Sequence, residues 1–159
     1  MIEIYTDGSC KGNGKNDACG GWGFVAIINK DEKEPYQVYS GEKNTTNNRM
    51  EMTAVIEACK SYENLLLTFN KDDHCIIYTD SAYIHSCISQ GWWKKWVING
   101  WVNSKKEPVK NKDLWEKLIP YFENENFLFK KVKGHSGHKY NEIADELANR
   151  GARFAEEYL

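Results

Sequence analysis

His74-Cys75-Ile76-Ile77-Tyr78-Thr79-Asp80-Ser81 is a short apolar run that ends in an aspartate, and Met1-Ile2-Glu3-Ile4-Tyr5-Thr6-Asp7-Gly8-Ser9 ends in the same way. Each run is rich in β-branched and aromatic residues and is closed by turn-forming residues, so each predicts a strand. In open α/β sheets functional groups gather beyond the carboxyl ends of the strands, so Asp7 and Asp80 are candidates to enter one crevice. Taken singly, an Asp after a strand is more often a turn former or a helix cap. The pair carries the idea, not either residue alone.

Outward from these runs the pattern alternates between strand and helix. A loop rich in Gly, Asn and Lys is expected through Gly21. Trp22 to Asn29 and Tyr36 to Gly41 then predict an antiparallel hairpin turned by Lys30 to Pro35. Met50, Ala54, Val55, Ala58, Cys59 and Tyr62 recur at helical spacing, which predicts a helix from about Asn48 to Asn64, with Asn47-Asn48 as caps. After Asp80-Ser81 a further helix runs through about Gln90. Leu114, Trp115, Leu118, Ile119 and Phe122 form another helical stripe, Phe127 to Val132 a last strand, and Ile143, Ala144, Leu147, Ala148 and Gly151 one side of a C-terminal helix. The expected order is β-β-β-α-β-α-α-β-α, an α/β sandwich on a mixed sheet.

The 159 residues, 41% hydrophobic and with a net charge of -2, describe one domain with an adequate core and rule out a disordered chain. No apolar run approaches a membrane span, and the start lacks the features of a signal peptide, so a cytoplasmic protein is expected. Five cysteines without paired short spacing argue against a disulfide framework and a zinc knuckle. The small net charge hides an asymmetry. Between Trp92 and Lys112 six lysines, Lys94, Lys95, Lys105, Lys106, Lys110 and Lys112, face Glu107 alone, a net +5, which leaves -7 on the remainder. A localised anion-binding face is the physical implication. Trp92, Trp93, Trp96 and Trp101 fall in the same segment, where the plainer role for each is a small satellite core.

Two further carboxylates join the aspartates. Glu51 is expected in the first turn of the long helix, where the macrodipole alone would favour it, and Asp145, beside Ala144 and Leu147, near the buried boundary of the last helix. Four carboxylates from different elements that converged would suit hard cations such as Mg²⁺. When empty, such a cluster repels itself and should hold a raised carboxylate pKa.

Asp7-Gly8-Ser9-Cys10, Thr46-Asn47-Asn48-Arg49-Met50-Glu51, Thr79-Asp80-Ser81, Val132-Lys133-Gly134-His135-Ser136-Gly137-His138 and Asn141-Glu142 with Asp145 resemble, in order, the successive motifs of type 1 ribonuclease H. The match runs to about Gly151, and Trp92 to Asn111 resembles the basic protrusion of the bacterial-type, stand-alone enzymes. The resemblance implies a ribonuclease H-like fold with a five-stranded mixed sheet flanked by helices. It makes residues 1–159 a single domain with its protrusion at about 92–112.

The implied activity is endonucleolytic hydrolysis of the RNA strand of RNA-DNA hybrids, giving 5'-phosphate and 3'-hydroxyl ends, with two Mg²⁺ ions and Mn²⁺ as substitute. Asp7 would bridge the ions, Glu51 and Asp80 would help hold one, and Asp145 the other. His135 would assist proton transfer or product release, and a His between glycines suits that role near neutral pH. Cys10, Gly12, Asn13, Asn47 and Asn48 match positions facing the minor groove of the hybrid, where 2'-hydroxyls can be sensed. Thr46 would lie near a DNA phosphate, Trp101 would face the DNA, Lys94, Lys95, Lys105 and Lys106 would contact phosphates, and Asn141 belongs to the substrate-binding set. The family expectation is a monomer without an obligate protein partner.

The sequence departs from the family at Ala82, where Gln is frequent, so one minor-groove contact is expected to be absent. The stretch Trp96 to Asn103 is also less basic than in many relatives. A silent hybrid-binding module would be expected to lose a carboxylate, and transposase or integrase cores lack Thr-Asn-Asn-Arg-Met-Glu. A nuclease domain cut from a reverse transcriptase fits the complete basic protrusion less well.

Overall fold

The computed structural model describes residues 1–66, 73–134 and 138–159. Its elements are β1 (Ile2–Lys11), β2 (Cys19–Ile28), β3 (Asp31–Lys43), α1 (Asn47–Leu66), β4 (Cys75–Thr79), α2 (Ala82–Gln90), α3 (Trp92–Asn99), α4 (Lys112–Phe122), β5 (Phe127–Lys131) and α5 (Lys139–Tyr158). The five strands form one mixed sheet in the order β3-β2-β1-β4-β5. β2 is antiparallel to both of its neighbours, β1 and β3, whereas β4 lies parallel to both β1 and β5.

This topology makes the seam between β1 and β4 special. From β1 the chain continues to β2 on one side, and from β4 it ends up in β5 on the other, so the connections diverge and leave a crevice at the carboxyl ends. Ile2 to Tyr5 pair with Cys75 to Tyr78, and there the parallel ladder stops. β1 does not end at that point, contrary to the sequence expectation. It runs on to Lys11 against β2, with Asp7 opposite Gly23. Asp-Gly is a turn signal only when the backbone needs a turn; here β2 supplies a full antiparallel partner.

The hairpin also differs from its expected form. Asn29 and Lys30, both with positive φ (50° and 60°), make a two-residue turn, and the charged stretch 31–35 is strand, not loop. Such φ values suit the tight hairpin turns whose twist matches the strands. β3 is an edge strand, mostly exposed, where charges and a proline are tolerated and discourage pairing with another chain.

Helices cover both faces. On one, α1, α2 and α4 bury Met52, Val55, Tyr62, Ile84, Trp115 and Leu118 against Ile2, Ile4, Phe24 and Ile77. On the other, α5 packs Ala144 and Leu147 on Tyr5, Val25 and Ile27. The approach of α5 is close because glycines line both sides. A Cβ on Gly21 would lie 2.0 Å from the Ala148 carbonyl oxygen, and one on Gly151 2.1 Å from that of Ser40. Among the described residues there are five helices, one more than expected: the tryptophan-rich segment begins as α3, none of whose residues is fully buried. Gly100 and Trp101, with φ of 82° and 64°, end it. Its indoles lean on the main core, Trp96 against Trp115 at 5.6 Å and Trp93 against Phe122 at 6.2 Å.

Candidate active site

The two Tyr-Thr-Asp segments lie side by side in register. Tyr5 pairs with Tyr78, their rings stack at 4.4 Å and 7°, and the Thr6 hydroxyl donates to the Tyr78 carbonyl at 2.9 Å. Asp7 and Asp80 therefore lie at the same level just past the β1–β4 ladder, each two residues beyond its tyrosine. Glu51 arrives from α1. It lies in the second turn of that helix, not the first, because α1 starts at Asn47 and is capped by the Thr46 hydroxyl, which accepts from Arg49 N–H at 3.2 Å. Gly8 permits the approach: a Cβ there would lie 2.2 Å from the Glu51 nitrogen. Carboxylate oxygens of Asp7, Glu51 and Asp80 lie within 4.8 Å of one another.

Asp145 stands on the opposite wall, in the second turn of α5, and lines the same crevice as Asp7. All four carboxylates line one cleft of about 460 Å³, with Ser9, Cys10, Asn47 and Asn48 on its rim. Asn141 sits on the α5 side of the same crevice.

The electrostatics follow from burial. Asp7 is 4% and Glu51 6% exposed. Loss of hydration first, and then the Asp80 charge, push the Asp7 carboxyl up to about 8, although a Glu51 hydrogen bond and the Gly8 N–H, donating at 2.9 Å, oppose the shift. Burial and the charges of Asp7 and Asp80 likewise raise Glu51 well above the ordinary carboxylate range. Among the described residues, Glu51 Oε2 and Asn141 Oδ1 are buried acceptors with no donor. An uncompensated buried acceptor is costly, so a hard cation fits this donor set: it would pair the orphaned oxygens and remove the repulsion that raises both acids.

The other predicted residues fall around the cleft. Cys10 approaches the Thr45 carbonyl through its thiol at 3.6 Å. Gly12 takes φ 72° in the β1–β2 turn, and the Asn13 side chain accepts from Asn47 N–H at 3.0 Å, tying that turn to the start of α1. Asn13, Thr46, Asn47 and Asn48 share a second hollow with Lys110 and Asn111. Arg49, next in sequence, is bidentate on Asp113 at 2.9 and 2.8 Å, and so fastens α1 to the root of the basic segment. Trp101 is half-buried against Trp96 with the Lys112 ammonium 5.7 Å from its ring, while Lys94, Lys95, Lys105 and Lys106 are exposed. His135 lies outside the described residues. The His138 ring lies against Tyr5, with centroids 5.1 Å apart and the planes tilted by 31°. Sequence reasoning overlooked Gly134: a Cβ there would come within 3.0 Å of Asp80 Oδ2, so the chain after β5 passes directly over that carboxylate.

Residues 1–153 match the RNase H family. The chain is 45% identical over 154 residues to a ribonuclease H of Hahella chejuensis, covering 97% of this chain and 95% of that protein. It is 44% identical over 151 residues to a ribonuclease HI of Neisseria meningitidis serogroup B, covering 95% and 94%. Among solved structures, LC11-RNase H1 in complex with an RNA/DNA hybrid is 26% identical, with a TM-score of 0.66 over 99% of this chain and 100% of that one. An acidic cleft at the β1–β4 seam, in a sheet of this order, and a match over nearly the whole length have one conclusion: the chain belongs to the ribonuclease H family.

Proposed function

We propose that the protein is an endonuclease that hydrolyses the RNA strand of RNA-DNA hybrids, leaving 5'-phosphate and 3'-hydroxyl ends. The observation that carries this reading is the cluster of Asp7, Glu51 and Asp80 within 4.8 Å, opposite Asp145 in one cleft. Asp7 would bridge two Mg²⁺ ions, with Glu51 and Asp80 on one and Asp145 on the other; Mn²⁺ would substitute. Bound there, such ions supply Lewis acidity that activates water and stabilises the leaving oxygen. Asn141, with its orphaned buried oxygen, orients groups at the α5 wall. His135 would carry protons or assist product release.

Substrate selection falls to the rim. Cys10, Gly12, Asn13, Asn47 and Asn48 face the minor groove, where short polar side chains and backbone amides can meet 2'-hydroxyls. Thr46 caps α1 through its oxygen and keeps its hydroxyl hydrogen for a phosphate of the DNA strand. Lys94, Lys95, Lys105 and Lys106, with Trp101, hold that strand along the basic segment. The whole chain acts as one domain, a cytoplasmic monomer with no obligate protein partner. None of its described helices is long and apolar enough to cross a membrane.

The test is cleavage of matched RNA-DNA, double-stranded RNA and double-stranded DNA with Mg²⁺, with Mn²⁺ and with EDTA. Metal-dependent cutting of only the RNA strand of the hybrid is expected. Hybrid binding without cutting in any metal would overturn the assignment in favour of a silent binding module.

A further inference from the structure

The odd positions of β1, Tyr5, Asp7, Ser9 and Lys11, share the sheet face that α5 covers. Asp7 meets Asp145. One step further along each element, the Ser9 hydroxyl donates to Asn149 Oδ1 at 2.8 Å in a half-buried setting. Beyond that, Lys11 reaches Glu156 at 3.3 Å, an exposed pair of little energetic weight. The spacing is matched: two residues of strand advance about 6.7 Å, and four residues of helix about 6 Å. Two successive contacts can therefore run straight across from β1 to α5 without tilting the helix.

The first contact needs the second. Asp7 and Asp145 are both carboxyl groups facing one crevice, and such a pair gives α5 no directional tie to β1. The glycine bed sets how closely α5 sits, but flat backbone against flat backbone resists sliding along the strand poorly. A directional hydrogen bond between side chains resists sliding well. We propose that Ser9 and Asn149 form a positioning pair that fixes the register of α5 on β1, and with it the span between Asp7 and Asp145 over which divalent cations are held. Neither residue touches the reacting atoms. The inference rests on the metal-binding reading of this cleft and adds to it the pair that sets the separation of its two walls.

The experiment uses the full chain with Ser9→Ala, Asn149→Ala, the double variant, and Ser9→Thr, which keeps the hydroxyl. Mn²⁺ affinity is measured by calorimetry without substrate, kcat and KM with a hybrid across a metal titration, and Tm in EDTA for each protein. Each alanine variant is expected to lose about tenfold in Mn²⁺ affinity, as removal of an orienting partner commonly does. The double variant should lose no more than either single one, and Ser9→Thr should bind as the parent does. The kcat at limiting metal should fall with the affinity and recover at high metal, while KM for the hybrid stays unchanged. Unchanged Mn²⁺ affinity in either alanine variant, or additive losses in the double, would overturn the pairing. A loss of Tm equal in the alanine variants and in Ser9→Thr, with affinity lost in all, would reduce the bond to general packing and also overturn it. A parent protein that neither binds Mn²⁺ nor cleaves would defeat the metal-binding reading itself, a different failure.

Discussion

Replacing Asp7 by Asn separates what the carboxylate does for the fold from what it does for the chemistry. Folding moves this acid from its ordinary pKa of 3.8 up to about 8. Between those values the native state holds a proton that the unfolded chain has released, so stability in the absence of metal falls as pH rises through the window. At about pH 5 the cost is on the order of 1 kcal/mol, and at about pH 7 it is a few kcal/mol. At 4% exposure the side chain has little water to soften that cost. Asparagine carries no such charge, and its carbonyl can still accept from Gly8 N–H. Asp7→Asn should therefore be the more stable protein in EDTA at about pH 7, with a Tm higher by roughly 5–15 °C. The advantage should shrink toward about pH 5. Added Mg²⁺ should raise the Tm of the parent and not of the variant, and cleavage should be lost. Thermal unfolding followed by circular dichroism at the two pH values, with and without metal, measures all of this. A variant less stable than the parent at both pH values, or a gap that does not change with pH, would refute the account of Asp7 as a strained acid waiting for a cation.

Three other perturbations probe the remaining parts. Alanine at Lys94, Lys95, Lys105 and Lys106 together should raise KM for the hybrid and reduce the steepness of its salt dependence, read from a plot of log affinity against log salt. Gly8→Ala puts a methyl group 2.2 Å from the Glu51 nitrogen. It should lower kcat far more than any alanine on the protrusion, as steady-state kinetics on soluble protein would show. Trp115→Ala empties a fully buried indole site and the bond from Trp115 Nε1 to the Tyr83 hydroxyl at 3.2 Å. It should cost about 3–5 kcal/mol in a urea titration.

What was legible in the sequence was whatever repeats with a short period. The twin Tyr-Thr-Asp runs, the apolar stripe of α1 and that of α5 are local patterns, and their strands and helices lie where they were expected. The misjudged places are those where a distant partner decides. Asp7-Gly8 reads as a strand end until β2 is known to continue beside it. The stretch 31–35 reads as a turn because edge strands tolerate charge. α3 was hidden because its eight residues bury no complete face and their charges and indoles draw attention first. Of the candidate site, the carboxylates could be named from sequence, but Glu51 falls in the second turn of α1 and not the first, because that helix starts at Asn47. The use of Gly8 and Gly134 as points of close approach depends on contacts that no local window contains. The Arg49–Asp113 bridge, 64 residues apart in sequence, belongs to the same class.

The glycine bed under α5 has a consequence for how this chain tolerates change. Gly21, Gly23, Gly41 and Gly151 sit where an added Cβ would strike backbone or a buried side chain within 2.0–2.5 Å, and backbone cannot step aside as a flexible side chain can. In a scan of every substitution these four positions should accept almost nothing, not even alanine. Many exposed lysines of the protrusion should accept nearly anything under permissive salt. The least replaceable residues would then include several that carry no functional group at all, and a map of intolerance would outline the seat of one helix as sharply as it outlines the acids.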